Sequence, residues 1–246
     1  MKTAYFWLTP QGKQLAEQLQ AHFGGTVEPK ADFAETVRRA FTDCDALVFV
    51  MATGIVVRTI APLVQSKASD PAVLVLDQRG KHVISLLSGH LGGANAMAEQ
   101  AAAYLGGEAV ITTATDVEHV PAFDLFAKEN HLTIENLEEL KYISGALVAG
   151  EPVSLCTAFP VEKNAFPETV QLQSFSETPR HACAVAIADT TESVVAPHVL
   201  YLRPKSLVLG VGCKKQIPPA HLEQCFRTFL QEHHLSLSAV EKLATI

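Results

Sequence analysis

Short apolar runs alternate with helix-like stretches along the first 120 residues of this chain. Lys2–Leu8 has the composition of a strand, and Ala46–Met51 is an unbroken apolar run, typical of a strand buried on both faces. Between them, Thr9 and Pro10 mark the start of one helix, and Ala31–Phe41 has the pattern of another. Strands that alternate with helices predict an α/β fold with a mainly parallel sheet and flanking helices.

Four further segments continue this pattern. Val73–Leu76 and Val83–Leu87 flank a glycine turn and are predicted to be a hairpin or two neighbouring strands. Ala94–Leu105 is alanine-rich and helical, and Ala109–Ile111 is predicted to be a short buried strand. We therefore predict an N-terminal α/β domain over residues 1–120 that carries the glycine-rich loops.

The pattern weakens between Pro121 and Pro204. Two helical stretches come first, Ala122–Asn130 and Leu137–Ala149. Short β-type runs follow at Val153–Cys156, Val170–Leu172 and Cys183–Ala188. We predict a smaller mixed middle domain over residues 121–204. From Ser206 a strand leads into a glycine turn and a helix that ends near His233, and a second helix is predicted from Ser238. Because one strand and two helices cannot bury their apolar faces alone, we expect residues 205–246 to be the incomplete beginning of a C-terminal α/β domain.

Charge and composition exclude several classes of protein. The 19 Lys and Arg against 26 Asp and Glu give a net charge of −7, and neither half of the chain is basic, which argues against a nucleic-acid partner. The apolar runs are far shorter than the roughly 20 residues of a membrane-spanning helix, and the N-terminus does not resemble a signal peptide. Five widely spaced cysteines indicate reduced thiols in the cytoplasm and no zinc site.

Unusual residues collect at three strand-to-helix junctions, which are Met51–Gly54, Ser88–Asn95 and Thr112–Asp116. Because loops that follow parallel strands emerge at one edge of the sheet, we expect the three junctions to converge. Gly92 and Gly93 would let a ligand approach the backbone, and the free N–H groups that begin the next helix would favour an anion. A plain turn at these glycines is the alternative.

A locally positive segment supports an anionic ligand. Between Gly54 and Asn95 there are four cationic side chains and two carboxylates, so the net charge of this segment is 4 − 2 = +2. Arg58 lies among apolar neighbours and requires an anionic partner, either an internal Asp or a substrate. For His90 and Asp116, structural capping remains open beside a catalytic role.

Several linked motifs resemble the CbiG family, whose members are cobalt-precorrin-5A hydrolases of anaerobic vitamin B12 biosynthesis. They stand in the family's order and are Met51–Pro62, Lys67, Asp70–Val73, Leu86–Asn95 and Ile111–Asp116. The run Leu209–Lys215 resembles the opening of that family's C-terminal domain, which normally continues further than in this chain, so we expect a truncated domain. The resemblance covers nearly the whole sequence.

The resemblance implies that the δ-lactone of cobalt-precorrin-5A is hydrolysed, with release of acetaldehyde and formation of cobalt-precorrin-5B. Lactone opening needs a general base and donors for the oxyanion. We expect His90 or Asp116 to be the base, and the N–H groups of Gly92 and Gly93 to be the donors. Further substrate contacts are expected from Arg58 and Lys67, for carboxylates, and from Ser88, Asn95, Thr112 and Thr113.

The cobalt belongs to the substrate, so the resemblance implies no cofactor and no protein metal site. The implied partner is the tetrapyrrole itself, and a homodimer or contacts with neighbouring cobalamin-pathway enzymes remain open. Two other hypotheses also remain open at this stage. One is a non-catalytic tetrapyrrole-binding module or an inactive fragment of such an enzyme, and the other is an unrelated α/β enzyme that acts on a sugar phosphate.

Overall fold

A computed structural model describes residues 1–162, 165–214 and 216–245. These residues form two compact units, Met1–Val117 and Glu118–Ile246, each of which is described by itself. The glycine-turn motif 209–215 ends on Lys215, which lies outside the described residues.

The first unit alternates strands and helices as the sequence predicts. Its strands are β1 (Thr3–Trp7), β2 (Thr26–Val27), β3 (Ala46–Val50), β4 (Ala72–Leu76), β5 (His82–Leu87) and β6 (Glu108–Val110). Its helices are α1 (Pro10–Phe23), α2 (Phe33–Asp43), α3 (Thr53–Ile60), α4 (Ala94–Leu105) and α5 (Ala114–Val117). Thr9 caps α1 through its hydroxyl and Pro10 occupies the first turn, so the predicted start of this helix is confirmed.

The six strands form one sheet in the order β2-β1-β3-β4-β5-β6. The first four strands in this order are parallel to one another, which confirms the predicted mainly parallel sheet. β5 runs antiparallel to β4, with Leu76 opposite Val83 and Val73 opposite Leu87, so these two strands form the predicted hairpin. β6 is parallel to β5 and lies at the edge of the sheet, so it is only partly buried. The prediction of a buried strand at Ala109–Ile111 is therefore wrong.

Helices cover both faces of this sheet. Alternate residues of β3 and β4 point to opposite sides, so that Val48 and Leu74 pack with α1 and α4, while Phe49 and Val75 pack with α2 and α3. The two clusters are the core of the unit. Their continuous apolar strands are typical of sheets that are buried on both faces, as predicted for Ala46–Met51.

The reversal at β5 gives the sheet two different edges. The first, the turn edge, contains the carboxyl ends of β1, β3 and β4 and the turn at 77–81 between β4 and β5. The second, the glycine-loop edge, contains the amino ends of β3 and β4 and the carboxyl end of β5. Loops that follow β5 and β6 therefore emerge opposite the loop that follows β3. The expectation that all three junctions converge is wrong, because it assumed that every strand runs the same way.

The second unit contains a five-stranded sheet in the order β7-β11-β10-β8-β9. Its elements begin with α6 (Phe123–Glu129), β7 (Thr133–Ile134), a 3-10 turn (Leu137–Glu139) and α7 (Leu140–Val148). They continue with β8 (Val153–Thr157), β9 (Val170–Ser174), β10 (Cys183–Ile187) and β11 (His198–Arg203). β7 is antiparallel to β11, and the other pairs are parallel. The predicted helices and β-type runs of this segment are thus confirmed, with boundaries shifted by a few residues.

The rest of this unit consists of β12 (Leu207–Val211), α8 (Pro219–Glu232), a 3-10 turn (Leu237–Ala239) and β13 (Val240–Thr245). The helix predicted from Ser238 is wrong, because these residues form a strand that pairs in parallel with β12. Long-range pairing with Leu207–Val211 here overrides the local helical pattern. Among the described residues, no helix is long and apolar enough to cross a membrane. The five cysteines are free thiols.

A buried arginine ties the end of the second unit to its five-stranded sheet. Arg203 is 3% exposed, and its guanidinium lies 2.8 Å from the carboxylate of Glu135. The same guanidinium donates to the carbonyls of Ala188 and Thr190. The hydroxyl of Ser236 donates to Glu135 at 2.6 Å, so one carboxylate joins β11 to the segment that follows α8.

We expect Arg203→Met to lower the free energy of unfolding by about 3 kcal/mol, because it leaves the carboxylate of Glu135 without its cation. The matched control is Arg227→Met, which breaks an exposed ion pair with Glu223 and should cost at most about 0.5 kcal/mol. Urea denaturation followed by circular dichroism measures both values. Equal losses in the two variants would contradict the assigned role of Arg203.

The same group makes stability depend on pH. Burial alone would raise the pKa of Glu135, but the hydrogen bond from Ser236 and the charge of Arg203 outweigh burial, so this pKa lies below its usual value of 4.5. A lowered carboxyl pKa contributes stability above the unfolded value and loses it as the pH falls through the folded value. We expect the stability advantage of wild type over Glu135→Gln to shrink below pH 4.5. Urea titrations between pH 7 and pH 3 test this, and an advantage that is constant across the range would contradict it.

Candidate active site

His90 and Asp116 are brought together at the glycine-loop edge, although they are 26 residues apart. The Nε2 atom of His90 lies 2.7 Å from Oδ2 of Asp116. The histidine side chain is 8% exposed and the aspartate side chain 34% exposed. The carboxylate therefore faces solvent, while the imidazole lies behind it. Asp116 lies inside α5 and contacts His90 through its side chain, so the alternative that it caps this helix is wrong.

Asn95 is a second residue that contacts the carboxylate of Asp116. Its side chain is buried, and its Nδ2 donates to Oδ2 of Asp116 and to the hydroxyl of Thr113, both at 3.1 Å. The Oδ1 atom of Asn95 accepts a hydrogen bond of 2.6 Å from Ser85. Because a carboxylate can only accept, the amide must present its nitrogen to Asp116 and its oxygen to Ser85. Ser85 thereby fixes the orientation of the amide that positions the carboxylate.

Sequence reasoning missed Ser85, which lies within β5 and outside the loop motifs. The available signal was its position in the strand: a hydroxyl inside an apolar run needs a partner in the protein interior. The loop that follows β5 points to α4, where Asn95 lies in the first turn. His90, Asp116, Asn95 and Thr113 are brought together as the motifs suggested.

The loop between β5 and α4 is shaped by two residues with positive φ. Ser88 has φ 58° and Gly93 has φ 89°. The hydroxyl of Ser88 donates to the carbonyl of Asp70 at 2.9 Å, so Ser88 anchors the loop to the segment before β4. This contact explains its position better than the predicted substrate contact does.

Gly92 is required for packing. A Cβ at this position would lie 2.5 Å from Cβ of Ser88 and 2.8 Å from its carbonyl oxygen. The missing side chain therefore makes room for Ser88, so packing alone already requires a glycine at this position. The expectation for the N–H groups that begin α4 is wrong, because Ala94 and Asn95 donate to the carbonyls of Ser88 and Gly89.

The predicted cationic residues lie at different edges. Arg58 folds back along α3, and its guanidinium donates to the carbonyl of Gly54 at 2.9 Å, next to the turn edge. It is therefore not brought together with His90. Lys67 is exposed in the loop that precedes Asp70, and that loop meets Ser88 at the glycine-loop edge. The cations do not form one positive patch, because Arg79 and Lys81 also lie at the turn edge. Thr112 is exposed between β6 and α5.

The arrangement is suited to proton transfer at a solvent-facing carboxylate. The Oδ2 atom of Asp116 is held by a histidine and an amide, which fix the direction of the group without enclosing it. A positioned carboxylate of this kind can remove a proton from water. Within the described parts of the chain, no group of three or more His, Cys, Asp or Glu is placed to hold a metal ion.

We expect Gly92→Ala to lower the free energy of unfolding by about 1–3 kcal/mol, because its Cβ would overlap Ser88. Gly145→Ala is the matched control: it lies in α7 with no atom near the new Cβ, and it should be neutral or stabilising by up to about 1 kcal/mol. Urea denaturation of both variants provides the measurement. A stable Gly92→Ala protein would mean that Ser88 is not packed as described.

Comparisons with known proteins match the chain in three consecutive segments. Residues 35–116 match the family model described as Cobalamin synthesis G N-terminal, which includes Ser85 and the Asp116 group. Residues 121–204 match the Cobalamin biosynthesis central region, and residues 207–246 match the Cobalamin synthesis G C-terminus.

The similar proteins carry related names. A protein of Salmonella typhimurium named cobalt-precorrin-5A hydrolase is 36% identical over 99% of this chain and 74% of its own length. A protein of Priestia megaterium with the same name is 34% identical over 84% of this chain and 58% of its own length. The crystal structure of a cobalamin biosynthesis protein G homologue from Sulfolobus solfataricus is similar over the whole chain and 74% of its own length, with 24% identity and a TM-score of 0.49. Three successive model matches and a relative that is 36% identical over 99% of this chain agree: the chain belongs to the CbiG family of cobalamin-biosynthesis proteins.

Proposed function

We propose that this protein is a hydrolase that opens the δ-lactone of cobalt-precorrin-5A, releases acetaldehyde and yields cobalt-precorrin-5B. The observation that carries the proposal is the hydrogen-bonded group of His90, Asp116 and Asn95, which lies within the segment that matches the family's N-terminal model. Relatives with the name of this activity extend over nearly the whole chain. The cobalt travels with the substrate, so the proposal requires no cofactor.

Asp116 is the general base of this proposal. The Asp116 side chain is more exposed than that of His90, so a water molecule can reach the carboxylate from solvent. His90 and Asn95 act as positioning residues, because both contact Oδ2 and thereby fix the carboxylate. With the carboxylate ionised, Nε2 of His90 carries the proton of the bond that joins them.

The reaction needs two proton transfers from oxygen. In the first, Asp116 removes a proton from water as the water oxygen attacks the lactone carbonyl. The ring C–O ester bond then breaks, Asp116 returns the proton to the departing oxygen to give an alcohol, and the new carboxyl group ionises to a carboxylate. In the second, the alcohol loses its O–H proton while the adjacent carbon–carbon bond breaks. The alcohol carbon becomes the aldehyde carbonyl, and the electron pair and a proton pass to the macrocycle. One base at a fixed position can serve both steps.

The remaining substrate contacts are proposed at the same edge. The N–H groups of Gly92 and Gly93 are the proposed oxyanion donors, since the next two N–H groups are already bound to carbonyls. Lys67 is the proposed partner of a substrate carboxylate, and Thr112 and Thr113 line the approach to Asp116. Arg58 has no part in this site, because its guanidinium lies at the turn edge.

The remaining proposals concern organisation and location. The ranges of the three family models support a division into domains at 1–120, 121–204 and 205–246. Two exposed free thiols, Cys213 and Cys225, support a reducing compartment such as the cytoplasm. A homodimer or contacts with neighbouring pathway enzymes stay predictions.

We expect Asp116→Asn to reduce acetaldehyde release from cobalt-precorrin-5A by about 10²- to 10⁴-fold, because the amide cannot accept the proton from water. His90→Gln should reduce it less, since glutamine can still donate to the carboxylate. Asp43→Asn, at the exposed end of α2, is the matched control and should leave the rate unchanged. The measurement is acetaldehyde formed per enzyme under single-turnover conditions.

The outcomes separate the remaining hypotheses. Wild-type rates in Asp116→Asn would refute the assignment of the base. Binding of the substrate by the wild-type protein without acetaldehyde release would support the non-catalytic tetrapyrrole module instead.

A further inference from the structure

A cavity of about 640 Å³ lies at the turn edge of the first unit, at the opposite end of the strands from Asp116. It lies outside the carboxyl ends of β1, β3 and β4. Its walls are largely apolar and include Met51, Ile55, Val75, Leu76, Ile84 and Val110. The volume falls in the range of about 300–1,000 Å³ that is typical of small-molecule sites.

The topology places this cavity where parallel sheets bind ligands. From β1 the chain moves outward to β2, and it then returns to the other side of β1 to form β3. The strand order therefore reverses between β1 and β3, which leaves a crevice outside their carboxyl ends. Leu8 and Thr9 line the cavity on the β1 side, and Ala52 and Thr53 line it on the β3 side.

The apolar wall exists because the helices do not cover the whole sheet. On the face where α2 and α3 pack, α3 covers β3 and β4, whereas Ile84 of β5 and Val110 of β6 remain half-buried. On the α3 side of the cavity, Ile55 is 38% exposed. Apolar side chains that line an open space favour an apolar occupant.

Four cations lie beside residues that line the cavity and form its rim, outside the lining itself. Lys30 donates to the carbonyl of Leu8, Arg58 donates to the carbonyl of Gly54, and Arg79 and Lys81 lie in the turn that supplies Gln78 and His82 to the lining. Among the described residues, none of these four cations has a carboxylate partner within ion-pair distance.

The single carboxylate in the lining, Asp77, is already engaged. It accepts hydrogen bonds from the backbone N–H groups of Arg79 and His82 at 2.8 and 2.7 Å. An apolar hollow with these cations beside its lining is complementary to an apolar ring that carries carboxylates.

We propose that this cavity is a second, non-catalytic site that binds a planar apolar ring with carboxylate arms, the chemical class of the substrate. The class of ligand rests on the proposed function, whereas the site rests on the cavity and its charges. The site lies at the turn edge, and the reacting groups lie at the glycine-loop edge. Substitutions at one edge can therefore change binding in the cavity without changing hydrolysis, and substitutions at the other edge can do the reverse.

The fluorescence of Trp7 tests the proposal. Trp7 is the sole tryptophan of the chain and ends β1 beside the cavity-lining Leu8. The probe is uroporphyrin III, a planar tetrapyrrole with eight carboxylates, and the comparison probe is dicyanocobinamide, whose arms are amides. Titrations are corrected for probe absorption with N-acetyltryptophanamide. We expect saturable quenching by uroporphyrin, and at least about tenfold weaker binding of dicyanocobinamide, which corresponds to the loss of one charge-assisted contact.

Two exposed positions provide the variants. Ile55→Glu adds a negative charge to the wall, and Arg58→Gln removes a cation from the rim; each should weaken uroporphyrin binding by about tenfold or more. Arg38→Gln, on the exposed side of α2, is the control and should bind like wild type. Urea denaturation establishes that all the variants are folded.

Asp116→Asn separates the two proposals. It should reduce acetaldehyde release by about 10²- to 10⁴-fold and leave quenching unchanged. Loss of quenching in Asp116→Asn, or wild-type binding by both Ile55→Glu and Arg58→Gln, would overturn the cavity proposal. So would absence of quenching in the wild-type protein, or equal binding of the two probes. If Asp116→Asn stays active while Ile55→Glu loses binding, the base assignment fails and the cavity site stands.

Discussion

The antiparallel pairing of β4 with β5 determines where each functional group of the first unit lies. Because this one hairpin turns the chain around, the loops after β5 and β6 open at the end of the sheet where β3 and β4 begin. His90 and Asp116 meet there. The loops after β1 and β3 and the turn after β4 lie at the opposite end, where a cavity rather than a cluster of polar side chains forms. One sheet thus presents two chemically different ends.

Most of the fold could be predicted from apolar runs, because strands buried on both faces and alanine-rich helices have distinct local patterns. The choice between a hairpin and two neighbouring strands could not, since the run Val83–Leu87 has the same composition whichever way it runs along the sheet. The motifs were therefore right about His90, Asn95 and Asp116, whose loops follow two parallel neighbours. They were wrong about Arg58, whose helix follows a strand of opposite direction.

Three other differences between prediction and structure also arise from nonlocal contacts. Val240–Thr245 is a strand because β12 offers it a partner, and nothing in the local pattern from Ser238 indicates that partner. Gly92 resembles a ligand-binding glycine, yet the atoms that require it belong to Ser88. Ser85 was missed because its role depends on an amide that lies ten residues away and is not visible in a strand pattern.

The contact between Glu135 and Ser236 joins residues that are 101 positions apart. Closing a loop of this length by itself is entropically costly, and the strands that form between the two residues reduce that cost. The carboxylate of Glu135 contacts Arg203 as well as Ser236, so loss of either partner leaves it with fewer donors. The environment of the buried arginine is therefore complete only when Glu135, Arg203 and Ser236 are all present and folded together.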